Sequence, residues 1–229
     1  MHKIGKMLSF IEENYIKSIY KIAEASGGPV STNSLAEKMG IKAATVTDML
    51  RKLSDKSFIH YQKYQGVTLS EKGNNRALHI IRKHRLWEMF LVQKLNFGWD
   101  EVHEVAEQLE HIQSEKLIHE LDRFLDYPAI DPHGEPIPTA SLEMNREPVW
   151  YLFNFRKADI LTVVGVSDDS ALFLNMLDSL AISLGSLIEI LECNEYDNSF
   201  LIKLNNKATV LISQKVAQNL IVQPNNDRK

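Results

Sequence analysis

Four side chains able to hold a divalent cation crowd into HEVAEQLEH, residues 103–111: His103, Glu107, Glu110 and His111. On a helix they fall at i, i+4, i+7 and i+8, and at 3.6 residues per turn they project from one stripe. A stripe turned to a core reads Leu, Ile or Val, whereas this one reads imidazole and carboxylate. Those are metal-binding donors, and the bland alternative is a solvated helix face. A second pair of possible ligands, His84 and Glu88, stands at i, i+4 upstream.

The elements that must position these residues belong to a chain of 229 residues, enough for one large domain or two to three small ones. No apolar run approaches the length of a bilayer span, and MHKIGKMLSF lacks the apolar core and cleavage site of a signal peptide. The lone Cys193 cannot form an internal disulfide. These features predict a soluble, cytoplasmic protein with no membrane partner. Net charge is −4, unevenly distributed. Residues 1–75 carry 11 Lys and Arg against 7 Asp and Glu, residues 76–143 carry 7 against 13, and residues 144–229 carry 8 against 10. A basic front on an acidic body suits a chain in which one module touches phosphate.

In that front, apolar positions at helical spacing (Ile11, Tyr15, Ile19, Ile22, Ala23) predict a helix over 10–25, ended by Gly27, Gly28 and Pro29. Ser31 or Thr32 caps a short helix that stops at Gly40, and KAATVTDMLRKLSDKS forms another, with Val46, Leu50 and Leu53 inward. The pair reads as a helix-turn-helix, and FIHYQKYQGVTLS, turning at Gly66, as a two-stranded wing. Lys42, Thr45, Thr47 and Arg51 lie on the outward face of the second helix and Lys63 on the wing. Short hydroxyls and long cations reach base edges and phosphates, so these five are the candidate DNA contacts. Asp48 among them would repel phosphate, so it points aside or accepts from a cytosine amino group.

Ser70 and Glu71 open a long helix to about Leu95, too apolar for one narrow stripe and suited to dimerisation. Asn96–Trp99 make a turn, Asp100 caps the helix of the opening stretch, and Ser114 caps the next one. Five of the seven prolines fall between residues 128 and 148, marking a linker. Beyond it DILTVVGVS, SLIEILEC, SFLIKLN and ATVLIS read as strands. SALFLNMLDSLAISLG reads as a helix ending at Gly185, Asn205–Asn206 as a hairpin turn, and QPNNDRK as a frayed tail. The fold expected is mainly α with a small β module, in three domains. These are a winged helix-turn-helix (1–73), a helical dimerisation and metal-binding domain (74–143) and an SH3-like barrel (150–225). His60, His79, His119 and His133 read as ordinary surface or hydrogen-bonded histidines, and Cys193 as a strand residue.

The strings ENYIKSIY, SLAEKMGIKAATVTDMLRKL, VTLSEKG, IRKHRLWEMFL, VHEVAEQLEH and DPHGEPIP follow one another in an order and spacing that carry a resemblance. Along nearly its whole length the chain resembles the diphtheria-toxin-repressor and manganese-transport-regulator family of metal-dependent transcription factors. The resemblance implies a primary metal site of Asn14, Glu107, Glu110 and His111, with His84 contributing in the manganese branch. It implies an ancillary site of His84, Glu88 and His103, with Asp168 or Asp169 as possible further ligands. Position 14 is usually Asp or Met in the family and is Asn here, a weaker donor; Lys17 stands where the manganese branch has a ligating Glu. Glu107 replaces a Cys of the iron branch, and without a thiolate the site suits Mn²⁺, then Fe²⁺, better than softer ions. Lys42-Ala43-Ala44 replace a common Ser-Pro, weakening the cap of the second helix of the motif.

The expectation is a non-enzymatic, homodimeric repressor of metal-uptake genes that binds double-stranded operator DNA when Mn²⁺ or Fe²⁺ joins Asn14 to the dimer core. No further protein partner is implied. Two alternatives stay open: a winged-helix regulator of an organic ligand, and a metallohydrolase. Against the second, the chain has no HExxH, nucleophile elbow or phosphate-binding glycine loop.

Overall fold

The computed structural model describes residues 8–62, 65–99, 101–144, 148–168 and 170–225. The chain divides into two compact units, one of residues 1–83 with 140–142, the other of residues 84–139 with 143–229. Among the described residues, α-helices dominate the first unit and the front of the second, and strands the C-terminal part.

In the first unit α1 (Phe10–Ser26) starts at a capping box, Ser9 with Glu12, and ends at Gly27 in the left-handed region. The next helix, α2 (Thr32–Met39), is capped by Ser31 and closed by Gly40. Lys42 occupies the N-cap of α3 (Ala43–Asp55) and makes no side-chain cap bond, as expected once Ser-Pro is lost. Strands β1 (Ile59–Gln62) and β2 (Gly66–Leu69) pair antiparallel, Ile59 opposite Leu69, and a bridge from Val30 to Val67 ties the wing to the α1–α2 connection. Gly66 is thus the first residue of β2, not the turn. Its φ of +92°, with Val30 O only 2.9 Å from where a Cβ would stand, explains the residue type.

Tyr15, Ile16, Ile19, Leu35, Val46, Leu50, Leu53 and Val67 form the core. Ile11 is exposed, and Ile16 takes the inward place that periodicity had assigned to it. The apolar stripe of α1 therefore begins one turn later than expected.

The long helix α4 (Glu71–Leu95) is buried on all sides from Ile81 to Met89, charged residues included. In the second unit α5 (Val102–Leu109) and α6 (Glu115–Phe124) pack on its C-terminal half through Leu86, Met89, Ala106, Ile118 and Leu121. The expected cap Asp100 lies outside the described residues; Glu101 stands at the N-cap of α5 and makes no side-chain cap bond. Ser114 caps α6 as expected.

The C-terminal module is one antiparallel sheet of β3 (Ile160–Val166), β4 (Leu187–Cys193), β5 (Phe200–Leu204), β6 (Ala208–Ile212) and β7 (Leu220–Pro224), ordered β6-β5-β4-β3-β7. Asn205 and Asn206, both at positive φ, turn the β5–β6 hairpin. Helix α7 (Ala171–Ser179) stops well before Gly185. Ala181 takes a positive φ and Ile182 N returns to Leu177 O, a Schellman closure that buries Ile182. Sequence periodicity missed α8 (Gln214–Asn219) and β7, whose buried Leu220, Ile221 and Val222 lack the alternation of a half-exposed strand.

Candidate metal centre

Helix α4 presents His84 and Glu88 one turn apart, both buried. Half-exposed His103, at the start of α5, closes a triangle with them. His84 Nε2 lies 3.0 Å from Glu88 Oε1 and 3.1 Å from His103 Nδ1, which in turn lies 3.3 Å from Glu88 Oε1. Donors about 2.1 Å from a common ion sit about 3.0 Å apart on an octahedron and about 3.4 Å apart on a tetrahedron. The triangle therefore has the edge lengths of a ligand set, and the donors fit a divalent ion of the Mn²⁺ and Fe²⁺ type.

A second layer lies behind it. Glu110, fully buried, brings Oε2 to 2.6 Å from His84 Nδ1, and buried His111 brings Nε2 to 3.9 Å from Glu110 Oε1. Glu107, half-exposed, reaches 3.7 Å from His103 Nε2. The single helical stripe is corrected here: α5 ends at Leu109, with Glu110 as its C-cap and His111 beyond it. Both side chains are buried there, and Glu110 meets His84 of α4.

Two members were not legible as ligands. Asp131 and His133, from the loop after α6, converge on Glu88 to form a second candidate set that shares its carboxylate. His133 Nε2 stands 3.2 Å from the carbonyl of Trp99, which can only accept, so the ring proton sits on Nε2 and the lone pair on Nδ1. The reading of His133 as an ordinary histidine is therefore incomplete. Its signal was DPHGEP, with Asp and His two apart in a proline-held loop, masked because that loop read as linker.

Burial pushes the Glu88 carboxyl up, but hydrogen bonds from His103 and His84 and the positive charge of His84 outweigh it and hold Glu88 well below the usual range. Asp131 goes the other way: burial first, then the charge of Glu88, raises it to about 7 despite Arg85. Two acids with opposed shifts share one cluster, a pattern that marks functional sites.

Asn14 is on α1 in the first unit, its Oδ1 buried without a hydrogen bond among the described residues, and Lys17, one turn on, is buried as well. An orphaned buried carbonyl oxygen suits a cation ligand. Asp168 is half-buried and accepts from Ser170 N, outside both candidate sets, and Asp169 lies outside the described residues. On α3, Lys42, Thr45 and Arg51 are exposed, while Thr47 is half-buried with its hydroxyl donating to Ala43 O. Asp48 does turn aside, to Arg51 Nη1 at 3.2 Å. Lys63 lies outside the described residues.

Family models match three successive parts of the chain. Residues 7–67 match the N-terminal DNA-binding domain of iron-dependent repressors, residues 70–139 their metal-binding and dimerisation domain, and residues 152–224 the FeoA domain, an SH3-like module. An uncharacterized HTH-type transcriptional regulator of Methanocaldococcus jannaschii is 34% identical over 114 residues, covering 50% of this chain and 91% of that one. The iron-dependent repressor IdeR of Mycobacterium tuberculosis is 32% identical over 126 residues, 55% of this chain and 54% of its own length. Among solved structures, a manganese-dependent transcriptional repressor in complex with manganese has 36% identity and a TM-score of 0.62, covering 93% of this chain and 100% of its own. The manganese regulator SloR has 30% identity and a TM-score of 0.56, covering 93% and 98%.

Proposed function

From the premise that this chain belongs to the diphtheria-toxin-repressor and manganese-transport-regulator family of metal-dependent transcriptional repressors, we propose that it is a Mn²⁺-activated, homodimeric repressor of metal-uptake genes. The observation that carries the reading is the His84–Glu88–His103 triangle, backed by Glu110 at His84. Its donors are imidazole and carboxylate only, which favours Mn²⁺, with Fe²⁺ the second reading supported by the iron-dependent relatives. Bound metal would supply a multivalent positive centre among otherwise repelling carboxylates.

The ligands in this reading are His84, Glu88, His103, Glu107, Glu110 and His111, with Asp131 and His133 added, and Asn14 supplied from the winged helix. Residues 1–73 read DNA through Lys42, Thr45, Thr47, Arg51 and Lys63, residues 74–143 dimerise and bind metal, and residues 150–225 form the SH3-like module. Leu95, Leu117, Phe124 and Tyr127 are exposed apolar side chains of the helical domain and suit a homodimer interface. A dimer places two α3 helices on successive major grooves about 34 Å apart, and metal tied to Asn14 selects that arrangement. A 100-fold preference for it corresponds to roughly 2.7 kcal/mol, enough to work a switch. Among the described residues no helix is long and apolar enough to cross a membrane; the reading places the regulator in the cytoplasm and gives it no enzymatic role.

The test is selection of duplexes from a random library with Mn²⁺ present, followed by anisotropy titration of a selected duplex with and without Mn²⁺. Tighter binding with metal is expected, and Glu110→Ala/His111→Ala should abolish the difference. Metal-independent binding would overturn the reading in favour of an organic-ligand regulator.

A further inference from the structure

Asp131 and His133 come to Glu88 from a loop, and a loop needs outside contacts to hold ligands still. Asp131 Oδ1 accepts from the backbone N–H of His133 and of Glu135, both at 2.9 Å, which folds the loop on itself. On one side the loop lies against β3: Val166 N donates to Pro132 O at 3.1 Å, and a Cβ on Gly165 would stand 3.3 Å from Gly134 N and Pro132 O. On the other side lies Arg85, buried on α4 one turn before Glu88. Its Nη1 donates to Pro136 O, its Nη2 to the Glu135 carboxylate, and its Nε lies 3.4 Å from Asp131 Oδ2.

We propose that Arg85 is a positioning residue of the metal centre: its guanidinium fork clamps the Asp131–Pro136 loop to α4 and so sets Asp131 and His133 against Glu88. The inference rests on the reading of Asp131 and His133 as ligands. Three features carry it. The helix that supplies Glu88 also supplies the clamp, so both are fixed to one rigid element. A planar fork hydrogen-bonds Pro136 O and the Glu135 carboxylate while its Nε side ion-pairs Asp131, a combination that a point charge on a flexible stem does not reproduce. And Glu135, half-exposed, balances the guanidinium, so Arg85 draws the Asp131 carboxylate close to Glu88 without leaving a net positive charge to repel a cation.

The test uses the full chain as wild type, Arg85→Met, Arg85→Lys and Asp131→Asn/His133→Ala. Mn²⁺ alone is the probe, with bound ion counted and affinity measured by electron paramagnetic resonance, and the metal-free melting temperature is recorded separately. Arg85→Met should weaken the ion that depends on Asp131 and His133 by about 10- to 100-fold, with Arg85→Lys in between. If the double variant keeps every ion and the wild-type affinity, the ligand reading falls and this inference with it. If the double variant loses an ion but folded Arg85→Met binds as wild type, only the inference is overturned, whatever its melting temperature. Should Arg85→Met not fold, Arg85→Lys decides, and unchanged affinity there overturns the inference.

Discussion

His84 Nδ1 lies 2.6 Å from Oε2 of Glu110, while the opposite nitrogen of the same ring faces Glu88 and His103. A neutral imidazole has one N–H and one lone pair. In the neutral ring that coordination requires, the carboxylate favours the proton on Nδ1, so the lone pair of Nε2 points at the triangle. In the metal-free chain Glu110 thereby orients His84 toward Glu88; as a ligand in the proposed site it would give up this contact to the ion.

Replacing His84 with Ala leaves Glu88 and Glu110 buried on either side of a vacated ring. The expected loss is about 3–5 kcal/mol of metal-free stability, the usual consequence of deleting one partner of a buried charge cluster. Glu110→Gln keeps the shape and should weaken Mn²⁺ by about 10- to 100-fold at smaller loss of stability. Urea unfolding and metal titration of both variants check this; equal stability of His84→Ala and wild type would contradict it.

Acidity separates the two carboxylates. Asp131 in the folded chain titrates at about 7, above its ordinary value of 3.8. A raised carboxyl contributes stability that is complete below the ordinary value and is lost as pH rises through 7. Glu88, held low, contributes above the ordinary carboxylate range and loses that only in stronger acid. Without metal, wild type should therefore lose stability relative to Asp131→Asn between about pH 4 and about pH 7, by at most about 1.4 kcal/mol per pH unit. Mn²⁺ binding should run oppositely and strengthen over that range, because the ion needs Asp131 ionised. Urea melts of the two proteins at both pH values provide the check, and a constant difference would refute it.

On the recognition helix, Arg51 and Asp48 are paired at 3.2 Å with both side chains about 70% exposed. So exposed a pair holds Arg51 weakly. Arg51→Ala should weaken duplex binding and lower the salt slope by about 1. Asp48→Asn should tighten binding several-fold by releasing Arg51 and removing a repulsive charge. Anisotropy titrations at several salt concentrations measure both, and weaker binding by Asp48→Asn would mean that the carboxylate reads a base.

Gly134 sits at φ +77°, where a Cβ would stand 2.2 Å from Ile221 Cδ1. An alanine there pays about 1–2 kcal/mol for the left-handed conformation, since the tip of Ile221 can rotate away. Valine should be worse, and either should also weaken Mn²⁺ by shifting His133. Denaturant melts and Mn²⁺ titration together test this. A stability loss with unchanged Mn²⁺ affinity would detach the loop from the metal centre.

Much of the architecture was legible because it is locally written. Helix caps at Ser31 and Ser114, breakers at Gly27 and Gly40, and the apolar spacing of Val46, Leu50 and Leu53 each depend on residues within a few positions. So does the pairing of His84 with Glu88 one turn on. The helix-turn-helix, the wing, the long helix and the strand-rich end follow from such patterns. The misreadings have local causes too: Ile11 shares the periodicity of buried Ile19, and nothing nearby in the chain decides which turn of α1 the core covers.

What spacing by itself determined is which residues could share a helix face; what only the tertiary structure decided is which faces meet. Glu88 stands more than forty positions before Asp131 and His133, and the three converge because the loop after α6 folds back between α4 and β3. The buried run Arg82, Lys83, His84, Arg85 and Glu88 is invisible to a code that equates polarity with exposure, since such groups enter an interior only when distant partners offset their desolvation. Those partners are long-range by nature, and so the chemistry of this centre was written in three dimensions while its parts were written in one.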